Sequence, residues 1–320
     1  MNELINLNST AALTAIDAAE ITAELFNRFI AYVNTDSKKT VETYTRALRQ
    51  FMLYLQAEGI TKPSRADIIA YINEMQAKGL KPTTRQSYIA AVKVFFKWTK
   101  QEGIYPDIAE HLKGAKLDRE HKRENLTSSQ VKQILGSIDR TTPQGLRDYA
   151  LFLLTVSGGL RTIELNRAIY GDIGTAGNST VLHIQGKGHT EKTEYIIIAP
   201  QVEAALRAYI KATGGRTDEQ PIFISSSNNN RGQAISSRSI SEILKSIMVN
   251  AGFDSDKLTA HSLRHTAITL VLMGNGGNLA EAQAFSRHEN IATLMIYNHA
   301  IEKGKAKENS TGYISSALFD

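Results

Sequence analysis

The chain is 320 residues long, 42% apolar and carries a net charge of +5, a length that allows two domains and an apolar content sufficient for a core in each. It contains no cysteine, which excludes disulfides, thiolate nucleophiles and cysteine-ligated zinc, and neither a cofactor nor a metal is expected. The charge is regional: residues 36–123 hold 17 Lys and Arg against 10 Asp and Glu, a net of +7, whereas residues 1–35 hold one Arg against four acids. That excess points the first half of the chain at a polyanionic partner. The acidic start MNELINLNSTAALTAIDAAE lacks the basic and apolar segments of a signal peptide, and the longest apolar run, YALFLLTVSGGL, is too short to span a bilayer. No membrane partner is expected, and the expected location is the cytoplasm.

Residues 1–17 read as an N-terminal arm and residues 18–105 as a helical bundle. Its first helix is ITAELFNRFIAYV. The second, SKKTVETYTRALRQFMLYLQAEG, opens at a serine cap and closes at Gly59, with Leu48, Phe51, Met52 and Leu55 on one stripe. The third, SRADIIAYINEMQAKG, is also opened by Ser and closed by Gly. The fourth, KPTTRQSYIAAVKVFFKWTKQEG, buries Tyr88, Val92, Phe95 and Phe96 and carries Lys93, Lys97 and Lys100 on another face. Residues 106–124 are polar, basic and poor in large apolar side chains, as a linker would be. From residue 125 the helices LTSSQVKQIL, PQGLRDYALFLLTVSG and RTIELNRA are followed by two strands, STVLHIQ and TEYIIIA, around GKGHTEK. Helices resume at QVEAALRAYI, SRSISEILKSIMVNAG, LTAHSLRHTAITL, LAEAQAFS and IATLMIYNHA. The predicted class is mostly α with a small antiparallel sheet.

Several polar residues stand apart from these patterns. GLRTIEL places Arg161 at a helix start with Glu164 one turn later, and GKG sets Lys187 in the strand connection. HSLRH supplies His261, Arg264 and His265; the first and second lie three apart, on one helix face, while Ile268, Leu270 and Val271 cover another. SRHENIATLMIYNH supplies His288 and, nine residues on, Tyr297. Singly, each has an ordinary explanation as a cap, an ion-pair partner or a turn. In this order they resemble the tyrosine recombinase (phage integrase) family, with its Gly-Leu-Arg-x-x-Glu-Leu box, hairpin lysine, His-x-Leu-Arg-His box and His-then-Tyr box. The resemblance covers residues 127–299 by motif and the helical first half by architecture. It implies a SAM-like core-binding bundle joined to an α+β catalytic domain, residues 125–300, that cleaves and rejoins DNA through a 3'-phosphotyrosyl intermediate, for integration, excision or resolution of DNA.

Phosphodiester chemistry makes the same demand. Attack on phosphorus drives charge onto the non-bridging oxygens, which two arginines, Arg161 and Arg264, can clamp through charge-assisted hydrogen bonds. The resemblance assigns the nucleophile to Tyr297, a phosphate-oxygen donor to His288, and to Glu164 the orientation of Arg161. Tyr313 is the rival tyrosine and lacks the motif. A phenol with a pKa near ~10 deprotonates far more easily than serine, and its phosphate ester retains the energy of the broken linkage. Lys187 is the candidate acid for the leaving 5'-oxygen and His261 the base or proton relay for Tyr297, with His265 a packed support. A single helix would put His288 and Tyr297 on opposite sides, so a break is required, and Asn290 can cap a new short helix.

Two departures from the family pattern stand out: Gly158 where threonine is usual, expected to affect packing only, and Ser286-Arg287 where Leu-Gly is usual, which adds a charge able to touch DNA or to alter how the tyrosine helix is held. On the helical bundle Lys39, Thr40, Arg46, Lys93 and Lys97 are candidates for phosphates and Arg85 for bases. The expected partners are double-stranded DNA with a specific recombination site and further copies of the chain, self-assembled as a tetrameric synapse. Residues 301–320 read as a tail on a polar tether, ending in an apolar plug of Ile314, Leu318 and Phe319 that docks on a neighbouring subunit or on its own domain. The alternatives are a type IB topoisomerase, with the same chemistry and no partner subunit, and a DNA-binding relative that does not cut.

Overall fold

The computed structural model describes residues 20–33, 38–115, 124–186 and 188–319; the expected arm, Ser37 and Lys187 lie outside the described residues. The chain divides into two compact units, Met1–Arg119 and Glu120–Asp320. Among the described residues no helix is long and apolar enough to cross a membrane.

The first unit contains α1 (Ala23–Val33), α2 (Lys38–Ala57), α3 (Arg65–Ala77) and α4 (Pro82–Gln101). Local signals set their ends: the Ser64 amide donates to the Asp67 carboxylate at 2.7 Å before α3, Pro82 opens α4, and α2 stops before Gly59, whose φ of +65° no β-carbon favours. Phe29, Phe51, Phe95 and Phe96 are fully buried in one aromatic core, where each ring stabilises the fold by roughly 1.5–3 kcal/mol. The segment read as linker is partly core: Ala109 and Leu112 are buried against this unit, and the Tyr105 hydroxyl just before it donates to the Pro63 carbonyl at 2.7 Å. Isolated apolar residues in a polar stretch carry no periodicity, so composition alone hides them.

The second unit runs α5 (Ser128–Ser137), α6 (Pro143–Gly158), α7 (Thr162–Arg167), β1 (Ile173–Ala176), β2 (Ser179–Ile184), β3 (Glu194–Ile197), α8 (Pro200–Ala212), α9 (Ser237–Asn250), α10 (Ala260–Gly274), α11 (Leu279–Ser286) and α12 (Ala292–Phe319). Helix α6 is its centre, with Leu151, Phe152 and Leu154 fully buried and α8, α9 and α10 packed around it. The sheet is antiparallel in the order β1-β2-β3, with Leu182 paired to Ile173 on one side and Ile196 on the other. Strand β1, Ile-Gly-Thr-Ala, escaped the sequence reading because four residues with one large apolar side chain show no alternation. Gly158 is a packing position: a β-carbon there would lie 2.5 Å from Ile196 Cδ1.

The C-terminal tail departs from expectation. Residues 301–319 are no tether: they continue the tyrosine-bearing helix, so α12 is 28 residues long instead of short. The stretch EKGKAKENS is polar but rich in helix formers, and a polar helix was read as a loop. The side chains of Ile314, Leu318 and Phe319 lie outside the described residues.

Candidate active site

Apolar contacts among three helices build the frame of the site. Ile268 and Leu272 of α10, Ala282 of α11 and Leu294 and Tyr297 of α12 form a small buried cluster that holds α12 against α10. Helix α11 ends at Arg287, which adopts φ +55°, and α12 begins five residues later, its Ala292 amide capped by Asn290 Oδ1 at 2.8 Å. The break that the His288 to Tyr297 spacing requires is present. It lets both residues face the same region.

Helix α10 carries the other half of the site. Its entry is closed by the Thr259 amide donating to Ser262 Oγ at 3.0 Å, and Leu263, Ala267 and Ile268 are buried on its core side. Arg264 is 1% exposed, and its guanidinium donates to the Gly159 carbonyl at 2.6 Å and to the Ser286 carbonyl. These two acceptors lie 105 and 22 residues away, which no local pattern reveals. Burial and the nearby Arg161 lower its pKa to about 10, which leaves it a cation near neutral pH. Arg264, the candidate for a DNA phosphate, is held from inside the domain by these two carbonyls, and its Nε makes no hydrogen bond among the described residues.

Arg161 precedes α7, where its amide donates to Glu164 Oε2 at 2.8 Å and its guanidinium to Glu164 Oε1 at 2.9 Å. Glu164 is fully buried, while a quarter of the Arg161 side chain stays exposed, so the carboxylate holds one edge of the guanidinium and leaves another free to bind. Arg287 approaches the same carboxylate, Nη2 to Oε2 at 3.2 Å. Its charge points inward, with only 5% of the side chain exposed; of its two expected roles, touching DNA or altering how the tyrosine helix is held, this favours the second.

His288 lines a cleft of about 310 Å³ together with Arg161, Gly186, His189, Glu194, Asn290 and Thr293. Burial first, then Arg264, Arg161 and Arg287, push its pKa down to about 4, so the ring is neutral at ordinary pH. Its Nδ1 is 2.8 Å from Ser286 Oγ, against 3.4 Å from that hydroxyl to the Gln283 carbonyl. The ring tautomer sets which of the two, Nδ1 or the hydroxyl, donates in the shorter contact.

Tyr297 is 6% exposed, and its hydroxyl hydrogen-bonds His265 Nδ1. His265, expected as a packed, hydrogen-bonded support, is an imidazole on the phenol oxygen. The exposed His261 meets it edge-on, ring centroids 4.5 Å apart, at the rim of a second cleft of about 770 Å³ that also reaches Arg161. The β2–β3 connection is tied down by Arg167 donating to the Gly186 carbonyl at 3.1 Å, by Gln185 donating to the His189 carbonyl at 2.8 Å, and by Lys192, whose ammonium contacts both oxygens of Asp172 at 2.7 Å. Asp172 is a contributor that sequence reasoning missed, since it sits in no box, and Ser286 was noted only as a departure from the family pattern.

The DNA-facing candidates of the first unit scatter. Arg46 and Lys97 are exposed, Lys39 is exposed and 3.5 Å from Glu42, and Lys93 and Thr40 are half-buried. Arg85 is engaged by Gln76 at 2.5 Å.

Residues 124–303 match the phage integrase family model, and residues 23–103 match the phage integrase N-terminal SAM-like domain. The chain is 28% identical to a tyrosine recombinase of Synechocystis sp. over 82% of this chain and 86% of that one, and 28% identical to tyrosine recombinase XerD of Listeria monocytogenes over 86% and 93%. Among solved structures it resembles in fold the XerH site-specific recombinase bound to a palindromic difH substrate, with a TM-score of 0.70 and 18% identity over 89% of this chain and 83% of that one. A lambda integrase dimer bound to a COC' core site gives a TM-score of 0.65 at 17% identity over 84% and 96%. With the family model spanning more than half of its length and the boxes converging on one buried cluster, the chain belongs to the phage integrase family of tyrosine recombinases.

Proposed function

We propose that this protein is a site-specific DNA recombinase in which Tyr297 cleaves one strand and the resulting 3'-phosphotyrosyl ester is resolved by a 5'-hydroxyl from a second DNA end. The observation that carries the reading is the convergence of Arg161, Arg264 and His288 beside a tyrosine hydroxyl already bonded to an imidazole. The phenol oxygen forms the new bond to phosphorus and its proton passes to His265, with His261 next in line. The bond to the 5'-oxygen breaks, and that oxygen takes a proton from Lys187. Arg161, Arg264 and neutral His288 share the charge on the non-bridging oxygens. Reversal with a different 5'-hydroxyl exchanges strands and needs no added energy source.

Its partners are duplex DNA bearing a recombination site and other copies of the chain, four of them in a synapse; among fold neighbours, a lambda integrase tetramer is bound to a Holliday junction. Lys39, Arg46, Lys93 and Lys97 would meet phosphates, and the reaction would take place in the cytoplasm. The test is incubation with supercoiled DNA carrying two copies of a site from beside the gene. Recombinant products support the reading, and relaxation with no recombinants refutes it. Tyr297→Phe should abolish the covalent adduct on a denaturing gel while leaving DNA binding intact.

A further inference from the structure

Arg287 has no part in the chemistry described so far, yet it is among the most heavily engaged side chains of the site. It takes a left-handed φ of +55°, a conformation that favours glycine, so its side chain must compensate for the strain. The guanidinium is almost wholly buried. Nη1 donates to the Phe285 carbonyl at 2.8 Å and the Gly158 carbonyl at 3.4 Å, and Nη2 donates to the Gly159 carbonyl at 3.4 Å and to Glu164 Oε2 at 3.2 Å. Its Nε makes no hydrogen bond among the described residues and lies 3.8 Å from the carboxylate of Glu194 on β3.

Glu164 therefore bridges two guanidiniums: Arg161, partly exposed at the cleft, on Oε1, and Arg287, sealed behind it, on Oε2. A buried carboxylate with one cationic partner can rotate about its last torsion. Here the Arg161 amide already holds Oε2, and Arg287 adds a charged partner to that oxygen from the buried side, which tightens the plane of the carboxylate and with it the direction in which it holds Arg161. Arg287 also immediately precedes His288, and so joins the arginine to the turn that carries the histidine.

We propose that Arg287 is a positioning residue for strand cleavage, fixing through Glu164 the orientation of Arg161 toward the scissile phosphate. The inference rests on the reading of Arg161 as a phosphate ligand given under Proposed function. Arg287 acts on cleavage through Arg161, whose task is the charge on the non-bridging oxygens. Its removal therefore matters most where a non-bridging oxygen carries that charge.

The experiment compares the parent with Arg287→Gly, which suits the left-handed backbone, and Arg287→Lys, which keeps a charge without the fork. Each is assayed on site-bearing DNA with an ordinary scissile phosphate and on DNA with a neutral methylphosphonate there. On ordinary DNA, adduct formation by Arg287→Gly should slow by about 10- to 100-fold with unchanged KM, as misplacement of a binding group predicts, and Arg287→Lys should fall in between. On methylphosphonate DNA most of that gap should close, which a merely structural role would not produce. Equal losses on both substrates, or no loss on either, would overturn the inference while the parent still forms its adduct. An absent adduct in the parent overturns the functional reading instead. Should Arg287→Gly fail to fold, the same two-substrate comparison is made with Arg287→Lys.

Discussion

The Tyr297 hydroxyl is hydrogen-bonded to Nδ1 of His265, the histidine one residue beyond Arg264 on α10. Helix geometry explains the choice of partner: positions 261 and 265 are one turn apart, so their rings meet at 4.5 Å, and the one nearer α12 reaches the phenol. If proton removal from Tyr297 runs through this contact, His265→Ala should slow adduct formation by about 100-fold or more, the usual worth of a general base, and His261→Ala by less. Time courses on denaturing gels decide it. A larger defect in His261→Ala would return the base to the exposed histidine.

His288 makes stability depend on pH. Its folded pKa, about 4, lies below an unfolded value near ~6.5, so between these limits the unfolded chain binds a proton that the folded chain refuses. Stability is then full above about pH 6.5 and falls as the pH drops toward 4. The melting temperature of the parent should decline across that window more steeply than that of His288→Asn, which has no proton to gain. Parallel declines would show that other groups govern acid sensitivity.

Two glycines of α6 should respond unequally to alanine. At Gly145 a β-carbon would lie 1.6 Å from the Asp139 backbone oxygen, so Gly145→Ala must displace main chain and should cost about 1–3 kcal/mol or more. At Gly158 the obstacle is only the tip of Ile196; the gain in helix propensity, about 1 kcal/mol, offsets a strained rotamer of similar size. Thermal melting should show a clear drop for Gly145→Ala and almost none for Gly158→Ala.

Beyond Ile301, which packs on the α10–α12 cluster, Glu302, Lys303, Gly304, Ala306, Ser310 and Thr311 are exposed. Deleting residues 310–320 should leave the melting temperature unchanged if this end of the helix belongs to a second subunit. If the helix end docks on a second subunit, two-site recombination should fall while single-site cleavage persists. A lowered melting temperature would assign the helix end to its own core.

The order of boxes, several helix starts and the break before Tyr297 were legible in the sequence, because each start depends on chemistry within a few residues: Ser64 and Asp67, Thr142 before Pro143, Asn290 before Ala292. The candidate polar residues of the site stood out through the order of the boxes and its resemblance to a family, since each taken singly has an ordinary explanation. Their directions were not legible. Whether Arg287 turns to solvent or to Glu164 depends on a left-handed residue between two helices and on a carboxylate 123 residues earlier in the chain. Arg264 likewise meets carbonyls of Gly159 and Ser286 only once α6, α10 and α11 have packed. Local patterning says which face of a helix is apolar; it carries no information about which distant group comes to rest against the other face. That is settled by the packing of the whole domain, where a buried polar group must find its partner.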